Sequence, residues 1–193
     1  MLFRSEMTYV VARGMKDFIM ITLGTGVGSG IVIDGKVVYG HDGNAGELGH
    51  TCVVRYNGRP CGCGKTGCLE AYCSAIGVAR TAREWLESSN EASLLRGVEN
   101  ISSKDIYDAA KEGDALALRV FDYTGRILGH SFADFVAFSA PEAIVLFGGL
   151  ARAKEWVILG HSERRQYYGE TDAKLQSAES LAFSSMKRCA VTS

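Results

Sequence analysis

The chain has 193 residues, 47% hydrophobic and 22% charged, ordinary usage for a globular domain able to bury a core. Its 21 Lys+Arg against 22 Asp+Glu leave a formal net charge of -1, which argues against nucleic acid or an acidic membrane as the main partner. The run Phe18 to Leu23, broken by Thr22, falls far short of the roughly 20 apolar residues of a membrane span. No signal peptide is readable, so a soluble cytoplasmic protein is expected.

In chain order, Asp17 to Leu23 is a β-rich run and Gly30 to Ile33 another. Asp34-Gly35 is a hairpin turn leading into Lys36 to Tyr39, so the chain begins as an antiparallel sheet. Gly43 to Cys68 is too rich in glycine and polar residues for long regular elements. Leu69 to Glu87 reads as one helix, weakened in its middle by Gly77. Ser102 or Ser103 can cap a short helix ending at Gly113. Asp114 to about Phe138 forms a long helix whose Leu118, Phe121, Leu128, Phe132 and Phe135 make one apolar face, which must pack on the sheet. Ala143 to Phe147 suits a strand buried on both faces, and Gly148-Gly149 directly after it is a place for a ligand.

Glycine is unevenly spread: 14 of 23 lie in the first 70 residues. In Leu23-Gly24-Thr25-Gly26-Val27-Gly28-Ser29-Gly30 the glycines let backbone N–H groups turn toward an anion, and Thr25 adds a hydroxyl, so the loop suits a phosphate. A plain hairpin is the alternative. A dinucleotide fingerprint fails, because Ser29 stands where it needs glycine and a strand follows rather than a helix. Gly64-Lys65-Thr66 imitates the end of a P-loop, but the required leading glycine falls on Arg59.

Of six cysteines, Cys61, Cys63 and Cys68 crowd into eight positions after His50. The pattern H-x10-C-x-C-x4-C supplies one imidazole and three thiolates, the set for a tetrahedral structural zinc with no open position. The alternative is a chance cluster of reduced thiols. Cys52 and Cys73 fit the spacing less well and read as small buried hydrophobes. Folding around the metal would pin Glu47 and Glu70 near the imidazole of His50, and two rigid carboxylates can select a sugar by its hydroxyls. Otherwise Glu47 is a solvated loop residue and Glu70 an acidic residue favoured in a first helical turn.

Ala45-Gly46-Glu47-Leu48-Gly49-His50, followed by Cys61-Gly62-Cys63-Gly64-Lys65-Thr66-Gly67-Cys68-Leu69-Glu70, resembles the signature of the ROK family of bacterial glucokinases, other sugar kinases and sugar-responsive repressors. The resemblance runs from about Asp17 to Ala153. It implies an α/β, actin-like ATPase/sugar-kinase fold, with a ribonuclease H-like lobe of mixed sheet and helices carrying the zinc loop 43–70. It also implies ATP with Mg2+, structural zinc, and a hexose, glucose foremost, as partners. Gly24-Thr25-Gly26 matches the family's second phosphate loop, and Gly148-Gly149 its adenosine-binding turn. Glu47, His50 and Glu70 match sugar-binding positions, with His50 also a zinc ligand beside Cys61, Cys63 and Cys68.

The departures lie at both ends. The family's first phosphate loop, D-x-G-G-T, and its catalytic Asn-Asp pair belong upstream of the glycine loop, but no Asp precedes Asp17 and no Asn precedes Asn44. No residue here is therefore assigned as catalytic base. Residues 1–16 do not match the pattern, and residues 154–193 diverge from it, His161 to Ser180 being polar and aperiodic. The chain is expected to be the sugar- and zinc-bearing lobe of an ATP-dependent hexose kinase, inactive alone. A sugar-sensing module of a ROK-type repressor is the alternative. Phe121, Phe132, Phe135 and Phe138 on the long helix, bared where the first lobe is missing, lead to an expected homodimer or higher oligomer.

Overall fold

The structure, a computed structural model, describes Ala12, residues 14–150 and the backbone of 189–191. The segment 154–193, expected to diverge, lies outside the described residues save that last strand, as does most of 1–16, expected not to match.

Strand β1, Phe18–Leu23, is central. It pairs antiparallel with β2, Val27–Ile33, which pairs with the short β3, Lys36–Val37. On its other side β4, Ala143–Phe147, runs parallel to β1, and β5, Cys189–Val191, runs parallel to β4. The sheet order is β3-β2-β1-β4-β5. The expected hairpin is present, with β2 starting earlier, at Val27, because the glycines of the loop are taken into the ladder as far as Leu23↔Val27. Strand β3 stops at Val37 rather than Tyr39, whose side chain is exposed.

Both faces of β4, and of β1 as far as Ile21, are buried, which is why β4 reads as an unbroken apolar run and β1 as one broken only at the exposed Thr22. Ile19, Ile21, Ile144 and Leu146 join the helices in the main core, while Phe18, Met20, Ala143 and Val145 form a second cluster on the opposite face.

The stretch read as one helix is two: α1, Glu70–Cys73, and α2, Ala75–Ser88. Ser74 between them is extended at φ -77 and ψ 165, and its hydroxyl accepts from the Gly77 N–H at 3.0 Å. Gly77 is not a weak point within a helix but the condition for the break. A Cβ there would lie 2.7 Å from the Tyr72 carbonyl carbon.

Helix α3, Ser103–Lys111, begins with a reciprocal capping box between Ser102 and Asp105, and Gly113 follows at φ +86, as its sequence predicts. Asp114 caps α4, Ala115–Ser139, by accepting from Ala117 N–H at 2.8 Å, and it also accepts from Leu94 N–H at 2.6 Å. Burial pushes its carboxyl up, but these N–H donors outweigh burial and hold it below the ordinary carboxylate range.

Phe121, Leu128, Phe132 and Phe135 of α4 lie in the same core as Ile19 and Ile144, and Leu118 packs at its edge. The anticipated bare aromatic surface therefore reduces to one residue. Phe138 is 87% exposed, whereas Phe121, Phe132 and Phe135 are 0%, 1% and 6% exposed. Among the described residues, no helix is long and apolar enough to cross a membrane.

Candidate functional site

Because β1 and β4 are parallel, their carboxyl ends meet, and ligands of such sheets bind outside those ends. Two glycine turns stand there. Gly24-Thr25-Gly26 joins β1 to β2, closed by Gly24 N–H donating to Gly26 O at 3.0 Å, with Thr25 exposed. Gly148 follows β4 at φ +103, and a Cβ on it would sit 2.2 Å from Leu23 O. Only glycine permits this close approach, so the two turns expected to hold phosphate and adenosine are neighbours. The first residue of α2 abuts the same place, Ala75 N–H donating to Gly24 O at 2.8 Å.

The loop 43–70 lies against β2. Ser29 is the clamp: its hydroxyl donates to Gly46 O at 2.6 Å and accepts from Leu48 N–H at 2.8 Å, gripping the chain on both sides of Glu47. A 3-10 turn, Leu48–His50, follows, and Gly49 is pressed so close that a Cβ would lie 2.1 Å from Val27 O. Ser29 was legible only as the residue that spoiled a dinucleotide motif; its contact to a loop 17 residues on leaves no local trace.

Beyond His50 the chain doubles back. Val53 N–H donates to Gly67 O at 2.8 Å, Gly67 N–H to Arg59 O at 2.8 Å, and Cys61 N–H to Lys65 O at 2.9 Å. This ladder places Cys61 and Cys63 in a tight turn facing Cys68 and His50. Cys61 Sγ lies 3.7 Å from His50 Nδ1, and Cys63 Sγ lies 3.7 Å from Cys68 Sγ. All four potential ligand atoms fall within 4.8 Å of one another. A tetrahedral zinc with bonds of about 2.3 Å needs ligand separations of about 3.8 Å, so the donor set fits the metal in number, type and spacing. Zinc held this way would supply structure alone, since four protein ligands leave no position for substrate. Burial pushes the Cys68 thiol up to about 12, whereas the backbone N–H of Lys65 holds exposed Cys63 below the usual thiol range.

Cys73 is fully buried as expected, but Cys52 is exposed, contrary to its reading as a buried hydrophobe. The bridge Cys52↔Cys68 puts it on the outer side of the loop, its thiol 3.6 Å from Val54 O.

Glu70 opens α1 immediately after the metal loop. Its Oε2 accepts from Val27 N–H at 2.9 Å, and its Oε1 lies 3.7 Å from Cys61 Sγ. The structure therefore brings Glu70, His50, the cysteines and the glycine turn together. Glu47 is exposed, and its backbone carbonyl accepts from His50 N–H at 3.1 Å.

Arg59 went unrecognised. It is buried, donating through Nη1 to Ala71 O at 3.2 Å, Gly77 O at 3.3 Å and Thr81 Oγ1 at 2.9 Å, and through Nη2 to Glu84 Oε2 at 2.5 Å. Its guanidinium also stacks 4.6 Å from the Tyr72 ring centroid. The Ala71 carbonyl is freed by the break between α1 and α2, because Ala75 N–H turns to Gly24 instead.

The ROK family model matches residues 4–183. The chain is 41% identical over 156 residues to a glucokinase of Halalkalibacterium halodurans, covering 79% of this chain and 47% of that protein. It is 34% identical over 143 residues to an N-acetylmannosamine kinase of Escherichia coli O1:K1, covering 74% and 45%. A ROK family glucokinase from Streptomyces griseus, solved with glucose and AMPPNP, superposes with a TM-score of 0.74 at 33% identity, covering 96% of this chain and 58% of that one. A ROK family transcriptional regulator, homolog of the E. coli MLC protein, gives a TM-score of 0.75 at 29% identity, covering 97% and 44%. The chain spans about half the length of the curated relatives it matches. The mixed sheet, the metal-loop signature and these matches agree: the chain belongs to the ROK family and has its actin-like sugar-kinase fold.

Proposed function

We propose that this chain is the sugar- and zinc-bearing lobe of an ATP-dependent hexose kinase of glucokinase type, with residues 17–153 as the lobe and 43–70 as its metal loop. The observation that carries the reading is Glu70, which joins the glycine turn to the thiol and imidazole cluster at the carboxyl ends of β1 and β4. Glu47, Glu70 and the ring nitrogen of His50 turned from Cys61 accept or donate hydrogen bonds to sugar hydroxyls. Thr25 and the turn N–H groups hold phosphate with Mg2+, and the Gly148-Gly149 turn receives the adenosine. Zinc fixes the loop that carries His50.

Phosphoryl transfer relies on positioning, charge neutralisation and a group that accepts the hydroxyl proton. No carboxylate of this chain is assigned to that proton, and loss of a general base lowers rate by about 10²- to 10⁴-fold. The zinc-loaded chain is expected to bind glucose weakly but saturably in calorimetry, to lose that binding in Glu70→Gln, and to phosphorylate no glucose above background. Absence of any glucose binding would overturn the sugar-lobe reading. Turnover at about 1–100 per second would overturn the expected inactivity and direct attention to Glu47→Gln as the variant that must abolish it.

The superposition on a ROK regulator favours a second reading, a sugar-sensing module of a repressor. Upstream coding sequence discriminates: an Asn-Asp pair with D-x-G-G-T marks the kinase, a helix-turn-helix the repressor. A homodimer or higher oligomer is proposed for either, supported here by the exposed Phe138 at the end of α4. Sedimentation at micromolar concentration is expected to give more than the 20.8 kDa monomer, and a clean monomer would refute it.

A further inference from the structure

The glycine turn has an occupant other than phosphate. Glu70 Oε2 receives the Val27 N–H at 2.9 Å, at the point where the turn becomes β2. The space taken by that oxygen is the space of a missing side chain, for a Cβ on Gly26 would lie 2.5 Å from Oε2 and 3.4 Å from the carboxyl carbon. Among the described residues beyond its chain neighbours these are the close atoms there, and Gly26 does not need the left-handed backbone region, so its glycine serves the carboxylate and not the chain path. Gly49 and Gly67 differ: what a Cβ would strike at each is the backbone carbonyl of Val27 or Val54.

We propose that Gly26 and Val27 are positioning residues for the Glu70 carboxylate, so that the turn matched to phosphate binding also sets the orientation of a sugar-reading group. This rests on the hexose-binding reading above. A carboxylate hydrogen-bonded through one oxygen is restricted in its rotation, and bonds to ionised acceptors are the stronger kind. With Oε2 tied to Val27, Oε1 is the atom left to face a sugar hydroxyl, on the side where Cys61 and His50 stand. The two substrates of the proposed reaction thereby share one structural element, Gly26-Val27, whose Val27 N–H is committed to Glu70.

Gly26→Ala tests this without substituting Glu70, since its backbone accepts alanine and the new methyl displaces only the flexible end of the Glu70 side chain. The full zinc-loaded chain, labelled with 15N, is compared as wild type, Gly26→Ala and Glu70→Ala. The expected result is that the Val27 amide proton moves upfield in both variants. Gly26→Ala is also expected to keep its zinc and melting midpoint while losing glucose affinity by about tenfold, as removal of a bond to a charged group does. A Val27 resonance unmoved in Glu70→Ala, or glucose affinity unchanged in Gly26→Ala, overturns the proposal. Should wild type itself take no glucose, the sugar reading fails separately and the Val27 resonance alone decides the positioning claim.

Discussion

Purified protein is expected to carry one zinc per chain, and Cys63→Ser to carry almost none. The four donors come within 4.8 Å of one another through backbone hydrogen bonds of the loop itself, so the fold brings the ligands to the metal. Zinc bound by such sets contributes about 10–16 kcal/mol of apparent binding energy at neutral pH, most of it folding energy of the segment it closes. The segment has few other anchors. Between residues 43 and 69 the side chains that are buried are Arg59, Cys68 and Leu69, with Leu48, Val53 and Val54 packing partly against the main core. The sheet and α4, by contrast, hold a core that includes no residue of the metal turn. Chelation should therefore speed amide exchange through residues 43–70 while β1 and α4 stay protected. Because thiolates are the ligands and burial keeps Cys68 protonated when free, zinc uptake should release protons and weaken as pH falls. A stoichiometry near zero, with all three thiols freely titratable, would refute the metal site.

What the sequence made legible is what short-range pattern encodes. The apolar runs of β1 and β4, the 3.6-residue stripe on α4 and the cap at Ser102 each follow from a local rule, and each is found. The grouping of His50, Cys61, Cys63 and Cys68 was readable because closely spaced cysteines with glycines between them leave a short loop few ways to turn. The break at Ser74 was not, since Gly77 carries a propensity penalty in any helix and only its close approach to Tyr72 reveals the reason. Ser29 and Arg59 escaped for the same cause: their partners lie 12 to 25 residues away, and a polar residue in a glycine-rich stretch looks solvated until the fold is seen. Cys52 erred in the other direction, because cysteine is so often buried that exposure on a loop edge has no sequence mark.

Arg59→Met is expected to lower stability by about 1–3 kcal/mol, the cost of leaving buried hydrogen-bond acceptors unsatisfied. Two effects compete in setting where in that range it falls. Glu84 would not be stranded, for its carboxylate is 43% exposed and keeps Arg80 at 2.7 Å, which argues for the lower end. Against this, the Ala71 carbonyl loses its bond at the break between α1 and α2, and Gly77 O and Thr81 Oγ1 lose a donor inside the core. Methionine fills much of the volume, so the loss reports bonding more than packing. Arg59→Lys should recover less than half, because a single ammonium cannot reach the three acceptors on Nη1 and the carboxylate on Nη2 together or stack on Tyr72. Denaturant unfolding of the zinc-loaded chain measures the loss. Since Arg59 lies two residues before Cys61 and fastens the loop to α2, zinc release to a competing chelator should also quicken in Arg59→Met. A change below about 0.5 kcal/mol, the scale of an ordinary surface substitution, would show that the metal alone holds the loop in place.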